Sequence, residues 1–341
     1  MRLIIIFLFT FTAISCKNQE VKTGDNAGIK SLSIEHTDNQ YKVSSHEYIF
    51  GDSDKMPLAL VAGLSVTNSG QVFIFDHTLK GFYKLNSAGD VLDFITLPEG
   101  RGPGEYSDPL GFAASGERVY IYDQNLFRLT AADLNLEPVN IFQDETSTLN
   151  MVMQPLGDGK ILAARNLFRI KPDEYTCFIY DSNENEILLE FDQSYDTVIE
   201  TKKERVQLND MAMPVYANDK YYVLLSLPFQ LKEYDLQGRL LNTYQVKNRE
   251  NPYFERDGFV NPTYANIGFS WDDHYELFLV TILNNRDRSS KLYLFDKNFE
   301  LNSVIDLDQF KIHDDDLFQS LTNSSDHKGN IYLLSNSRNG P

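Results

Sequence analysis

The sequence feature that most restricts the fold of this chain is a short apolar strand that recurs about every 50 residues. Each copy follows a Gly, Asn or Asp turn and is rich in β-branched and aromatic residues, as β-strands are. The clearest copies are residues 70–76 (GQVFIFD) and 116–123 (GERVYIYD). Weaker copies lie at residues 160–164, 220–225, 275–280 and 330–334. The repeat predicts a chain built from similar β units.

The spacing of these strands predicts how many units there are. The residues that follow the six copies are 47, 42, 61, 55 and 54 positions apart, and they are Asp76, Asp123, Arg165, Ser226, Thr281 and Ser335. A period near 50 in a chain with almost no helical signal is typical of propeller blades. Further strands follow each copy in a fixed order, as in residues 81–85, the turn at 86–89 and residues 91–96. The sequence therefore predicts an all-β fold, a six-bladed β-propeller of four-stranded antiparallel blades.

Closure of the ring is a separate expectation. The sequence ends at Pro341, soon after the second strand of the sixth unit, so that unit lacks its outer strands. We expect N-terminal strands at residues 41–44 and 47–50 to supply them and close the ring, because closure removes exposed sheet edges. The alternative is a truncated product whose own outer strands are missing.

The N-terminus has the pattern of an export signal. Arg2 precedes an apolar run at residues 3–11, which is too short to span a bilayer, and small residues lead into Cys16. The pattern resembles a lipobox, although Ala13 stands where leucine is commonest. It predicts a signal peptide at residues 1–15, a flexible tether at 16–40 that begins with lipidated Cys16, and the propeller at 41–341. The resemblance implies an outer-membrane lipoprotein that faces the periplasm or the cell surface, since no aspartate follows the cysteine.

The charge balance restricts the partners. Lysine and arginine total 31 against 49 aspartate and glutamate residues, which gives a formal net charge of -18. Such an acidic chain disfavours nucleic acid as a partner, and we expect none. The only cysteines are Cys16 and Cys177, so lipidation of the first leaves no intramolecular disulfide.

One segment carries a resemblance to a known family. Residues 63–123, which hold the first two clear strands and the loop at 100–106 (GRGPGEY), resemble the six-bladed propeller lipoproteins of Gram-negative bacteria, relatives of the NHL and TolB-like propellers. Across the rest of the chain the similarity lies in period and strand pattern. The resemblance implies a fold and a location, and it leaves the function open.

Arginine placement suggests a binding face. In a propeller, the loops from outer to next inner strand and from second to third strand open on one face of the disc. Ten of the twelve arginines of the mature chain fall in or beside such loops. Arginine forks suit carboxylate, sulfate or phosphate, so an anionic ligand is one expectation, and local ion pairing is the other. The candidate ligand-binding residues are Arg101, Tyr106, Arg128, Arg165, Arg169, Arg286 and Arg288.

These observations favour a lipid-anchored extracytoplasmic binding or scaffold protein that presents a propeller face to a small molecule or partner protein. We find no catalytic motif and expect neither a metal nor a cofactor. The alternative is a metal-dependent hydrolase or lactonase with its site at the central channel. Its candidate ligands, each just ahead of an inner strand, are Asp108, Asn150, Asp210, Asn266 and Asp316.

Overall fold

The computed structural model describes most of the region predicted to form the propeller. The described residues are 29–32, 61–143 apart from 68, 149–193 apart from 168, 169 and 172, 212–246 apart from 226–228, 253–310 apart from 257, 258, 263 and 285, and the pairs 316–317, 324–325, 331–332 and 336–337. None of the helical segments in this part of the chain has the length and apolar character that crossing a membrane requires.

The described elements are almost all strands. In chain order they are β1 (Ile29–Leu32), β2 (Val61–Val66), β3 (Val72–Asp76), β4 (Gly81–Leu85), β5 (Val91–Thr96), β6 (Pro109–Ala114), β7 (Val119–Asp123), β8 (Arg128–Ala132), β9 (Pro138–Gln143), β10 (Leu149–Gly157), β11 (Lys160–Arg165), β12 (Cys177–Asp181), β13 (Glu186–Phe191), β14 (Met213–Ala217), β15 (Lys220–Leu225), β16 (Gln230–Tyr234), β17 (Leu240–Val246), β18 (Tyr253–Arg256), β19 (Phe259–Pro262), β20 (Tyr264–Asp272), β21 (Leu277–Asn284), β22 (Ser290–Phe295), β23 (Leu301–Asp306), a 3-10 helix (Leu307–Phe310), β24 (Asp316–Leu317), β25 (Ser324–Ser325), β26 (Ile331–Tyr332) and β27 (Asn336–Ser337).

Twenty of these strands form blades 1 to 5, each a sheet of four consecutive antiparallel strands. The blades are β2–β5, β6–β9, β10–β13, β14–β17 and β20–β23, and β18 and β19 form a separate hairpin. The repeated strand of the sequence is the second strand of each blade. The prediction of an all-β propeller with four-stranded antiparallel blades is therefore confirmed. The count differs, because the described residues form five complete blades where six were predicted.

The core lies between neighbouring blades. Phe82 of blade 1 meets Phe112 of blade 2 edge-on at a centroid distance of 5.0 Å, and Tyr222 of blade 4 meets Phe278 of blade 5 at 4.8 Å. Each sheet is thus covered on both faces, so its second strand is apolar at nearly every position instead of alternating. All five residues of β3 and of β7 are buried, including the aspartate that ends each strand. This double burial explains why the second strands gave the clearest sequence signal.

A repeated turn joins the third and fourth strands of every blade. An Asp or Asn side chain accepts hydrogen bonds from backbone N–H groups two to four residues later, as Asp235 does from Gln237 and Arg239, both at 2.9 Å. The equivalent acceptors in the other blades are Asn86, Asp133, Asp181 and Asp296. The turn predicted at residues 86–89 is therefore confirmed, and residues 235–238 form the same turn in blade 4.

A short hairpin fills the gap between blades 5 and 1. β24 pairs with β27 and β25 with β26, both antiparallel, as expected for two parts of one hairpin. β25 contacts the inner strands β2 and β20 of the flanking blades. Tyr332 is fully buried and belongs to the core cluster of Leu64 and Ile74 in blade 1. The structure describes no outer strands for this hairpin, which is why the sixth predicted blade is not seen complete. Residues 41–50, the predicted donors, lie outside the described residues.

The outer edge of blade 4 carries an additional strand. β1 pairs in parallel with β17, and Lys30 Nζ lies 3.4 Å from the Tyr244 hydroxyl and 5.1 Å from the centre of its ring. Four residues of the predicted flexible tether therefore lie along the rim of the propeller. The remainder of that tether lies outside the described residues.

Candidate functional site

A cavity of about 500 Å³ lies at the centre of the propeller. Its described walls come from the inner strands β2, β6, β10, β14 and β20 of all five blades and from Ser325 of β25. Cavities of this size are typical of sites that hold small organic molecules.

Strand register places one residue from each inner strand at the same height in the wall. These residues pair with the first apolar residue of each second strand, and they are Val66, Ala114, Pro155, Tyr216, Asp272 and Ser325. Ser65 and Gln154, which precede Val66 and Pro155, connect their strands to the neighbouring inner strands through side-chain hydrogen bonds. Ser65 Oγ accepts a hydrogen bond from Ala114 N at 2.9 Å. The Gln154 amide accepts from Tyr216 N at 2.6 Å and donates to Tyr216 O at 3.3 Å. These side chains hold the wall together where the backbones do not pair.

The cavity opens where the inner strands turn into the second strands. Glu117, Asn218 and Asp273 lie in these turns and are exposed, whereas Phe112 and Phe269, deeper in the wall, are buried. We call the exposed end, formed by the turns after β6, β10, β14 and β20, the cavity mouth.

The mouth is acidic. Glu117 and Asp273 are the charged residues among the described lining, which includes no lysine, arginine or histidine. Of the basic side chains next to the mouth, Lys220 forms an ion pair with Glu233, whereas Arg118 donates to the neutral amide of Asn183. The described lining of the cavity therefore carries net negative charge.

Two aromatic side chains at the mouth each donate a hydrogen bond to a carboxylate. Trp271 Nε1 donates to Asp273 Oδ1 at 2.6 Å in blade 5, and the Tyr216 hydroxyl donates to Asp219 Oδ1 at 3.1 Å in blade 4. Burial raises the pKa of Tyr216, and the carboxylates of Asp219 and Asp273 raise that pKa further. The Asp273 carboxylate thus acts electrostatically on the tyrosine of the neighbouring blade, although the Tyr216 ring packs against the core between blades 3 and 4 and the Trp271 ring against the core between blades 4 and 5.

Comparison with known proteins supports the fold alone. No family model and no curated protein matches the chain. A solved structure of a DUF4221 family member from Bacteroides vulgatus is 9% identical, covers 82% of this chain and 93% of its own, and superposes with a TM-score of 0.51. Virginiamycin B lyase from Staphylococcus aureus, in a catalytically inactive form with quinupristin, is 9% identical over 78% of this chain and 74% of its own, with a TM-score of 0.48.

Two of the predicted ligand-binding residues belong to or contact the glycine-rich loop at residues 100–106. Tyr106 is part of the loop, and Arg128 at the start of β8 binds to it. Arg128 is 6% exposed, and its guanidinium donates to the backbone carbonyls of Gly102 at 3.0 Å and of Glu105. It also lies 5.9 Å from the centre of the Tyr106 ring. Tyr106 is buried, and burial raises its pKa to about 12 in spite of the nearby Thr130 hydroxyl and the Arg128 charge. Both residues therefore hold the crossing from blade 1 to blade 2 in place.

Arg165 is similarly engaged within blade 3. Its guanidinium forms an ion pair with Glu190 at 2.8 Å, donates to the Tyr175 carbonyl at 2.8 Å, and lies 4.9 Å from the centre of the Phe178 ring. The side chain is 6% exposed, so most of its surface is in contact with the blade.

The other candidates are more accessible. Arg101 and Arg286 are exposed, and Arg288, in the same turn of blade 5 as Arg286, has a positive φ of 61°. Arg169 and Cys16 lie outside the described residues. Every described candidate lies at the face opposite the cavity mouth, as the loop assignment predicted, and none of them lines the cavity. Binding of an anion by these arginines stays a prediction.

Of the five residues proposed as metal ligands, the structure describes the side chain of Asp108 alone. Asp108 accepts hydrogen bonds from Gln124 at 2.5 Å and contacts His77 at 3.0 Å, and the Gln124 hydrogen bond in particular lowers its pKa. Among the described residues, no three His, Cys, Asp or Glu side chains come together as metal ligands. Asp210 lies outside those residues.

The residues that line the central cavity were not among those predicted from the sequence. The predicted ligand-binding residues lie in the loops from outer to next inner strand and from second to third strand, whereas Gln154, Tyr216 and Trp271 lie towards the ends of inner strands. Two signals pointed there. Trp271 is the only tryptophan of the chain, and all three residues lie shortly before the turn that leads into a repeated strand.

Proposed function

We propose that this protein is an exported, lipid-anchored binding protein that holds a small organic molecule in its central cavity. The observation that carries the proposal is the cavity itself, with a wall of apolar, aromatic and amide groups contributed by every described blade. The wall is preformed because Ser65 and Gln154 fix neighbouring inner strands to each other. Ser270 Oγ lies buried in it without a hydrogen-bond partner among the described residues, so a ligand could satisfy that group.

Intrinsic fluorescence offers a direct test, because the sole tryptophan lies at the mouth. Compounds screened against the mature protein should include some that change Trp271 emission in a saturable way. Gly116→Phe should then weaken binding at least about tenfold. Gly116 lines the cavity, and a Cβ there would have no atom within 4 Å, so the phenyl ring occupies the mouth without distorting the backbone.

The control is Asn298→Phe, which adds the same ring to an exposed turn on the outer side of blade 5. Equal affinity in the wild type, Gly116→Phe and Asn298→Phe would place the ligand outside the cavity and contradict the proposal.

Lipidation of Cys16 is part of the same proposal. β1 begins 13 residues after Cys16, so a fully extended linker spans at most about 45 Å. The rim of blade 4 would therefore stay near the membrane surface. Metabolic labelling with a fatty acid should label the wild-type protein and not Cys16→Ser, because the thiol is the acceptor. Equal labelling of the two would exclude this anchor.

We also propose that the ring has six blade positions. The hairpin from β24 to β27 supports this, because Ser325 and Ile331 pair in the same register as the inner and second strands of the other blades. Ile331 and Tyr332 are also fully buried, as the equivalent second-strand residues are. Residues 41–50 would then supply the outer strands of the sixth blade.

A further inference from the structure

We propose that the ligand carries a positively charged amine or quaternary ammonium group, which binds at the cavity mouth beside Trp271 and Asp273. This inference rests on the proposed function of the cavity and adds the chemical class of its ligand. It follows from three features of the mouth: its charge, its aromatic rings and the way its carboxylates are held.

The negative charge of the described lining favours a positively charged ligand. Glu117 and Asp273 line the mouth, and Asp219 lies beside it, while the described lining holds no basic side chain. Lys220 stays near the mouth, but its ammonium group is paired with the buried carboxylate of Glu233. An anion would meet like charges there, whereas a cation would gain attraction from at least two carboxylates.

The aromatic rings suit a cation as well. Trp271 and Tyr216 are both partly exposed, come from adjacent blades and line the same mouth. A cation over an aromatic face is attracted by the ring quadrupole, most strongly for tryptophan, and proteins bind quaternary ammonium groups at such rings. The Trp271 ring is held by Phe278, whose centre lies 4.7 Å away, so its orientation is fixed before a ligand arrives.

The hydrogen bonds of Trp271 and Tyr216 each use one oxygen of a carboxylate, so the carboxylates can still contact a cation. Asp273 accepts the indole N–H through Oδ1, and Asp219 accepts the tyrosine hydroxyl through Oδ1. Each bond holds its carboxylate at the edge of an aromatic ring through Oδ1 and leaves Oδ2 outside that bond. A bound ammonium group can therefore contact a ring and a carboxylate at once.

Isothermal titration with choline and with its neutral isostere 3,3-dimethylbutan-1-ol tests the inference, because the two probes differ in charge and hardly in shape. We expect choline to bind the mature protein at least about tenfold more tightly than the alcohol. Asp273→Asn keeps an oxygen for the indole and removes the charge, so it should reduce choline affinity about three- to tenfold and leave the alcohol unaffected. Glu300→Gln, which removes an exposed carboxylate from an outer turn of the same blade, should change neither.

The outcomes separate this inference from the function on which it rests. If both probes bind equally and Gly116→Phe weakens both, the cavity is the site and the cationic class is wrong. Undetectable choline binding, or choline binding that Asp273→Asn leaves unchanged, also contradicts the cationic class. If choline binds and Gly116→Phe does not weaken it, the cavity is not the site, and the proposed function fails as well.

Discussion

Replacing Arg128 by alanine should lower the free energy of unfolding by about 3 kcal/mol or more, because charge-assisted hydrogen bonds contribute about 1.5 to 3 kcal/mol each. The side chain is buried and donates to the carbonyls of Gly102 and Glu105, which lie in the loop that joins blades 1 and 2. That loop has few other ways to fold. Gly104 has a φ of 76°, and a Cβ there would lie 2.6 Å from Pro138 Cγ. Urea unfolding followed by circular dichroism measures the effect.

Arg101→Ala is the matched control for Arg128→Ala. Arg101 belongs to the same loop, but its side chain is exposed, so its loss should change stability by no more than about 0.5 kcal/mol. If both variants were as stable as the wild type, Arg128 would have no structural role, and the anion-binding role predicted from the sequence would become the better account of its guanidinium.

Deleting residues 41–50 should destabilise the protein by several kcal/mol, a large fraction of the stability of an ordinary domain. The segment is proposed to supply the outer strands of the sixth blade, and its loss would leave the edge of β26 unpaired. Thermal and urea unfolding of the mature protein measure the difference.

The control deletion removes residues 17–28, which end just before β1 and leave its pairing with β17 intact. We expect almost no change in stability from it. Equal stability of the wild type and the 41–50 deletion would show that the ring closes in another way.

Much of the fold could be predicted because the same strand and turn patterns recur in every blade of a propeller. Second strands such as β3 and β7 are buried on both faces, so they are uniformly apolar, and the turns between third and fourth strands require an Asp or Asn acceptor. The parallel pairing of β1 with β17 could not be predicted. Its four residues, IKSL, lie in a polar segment and gain their place from the free edge of blade 4, which is a tertiary feature.

The site was harder to predict, because the same residue type can bind a ligand or the protein itself. Loop position correctly placed Arg128 and Arg165 at one face of the disc. It could not show that one guanidinium would bind backbone carbonyls and the other Glu190. The composition of the cavity wall depends on the register of the inner strand within each blade, which places Tyr216 and Trp271 in the same wall although 55 residues separate them in the chain.

A crystal structure of the mature protein soaked with the compound that changes Trp271 emission most would test the central claim most directly. The account predicts ligand density inside the ring of inner strands, in contact with Trp271 and with the wall formed by Ser65 and Gln154. Ligand density at the opposite face, beside Arg101 or Arg288 and with the cavity free of ligand, would contradict it.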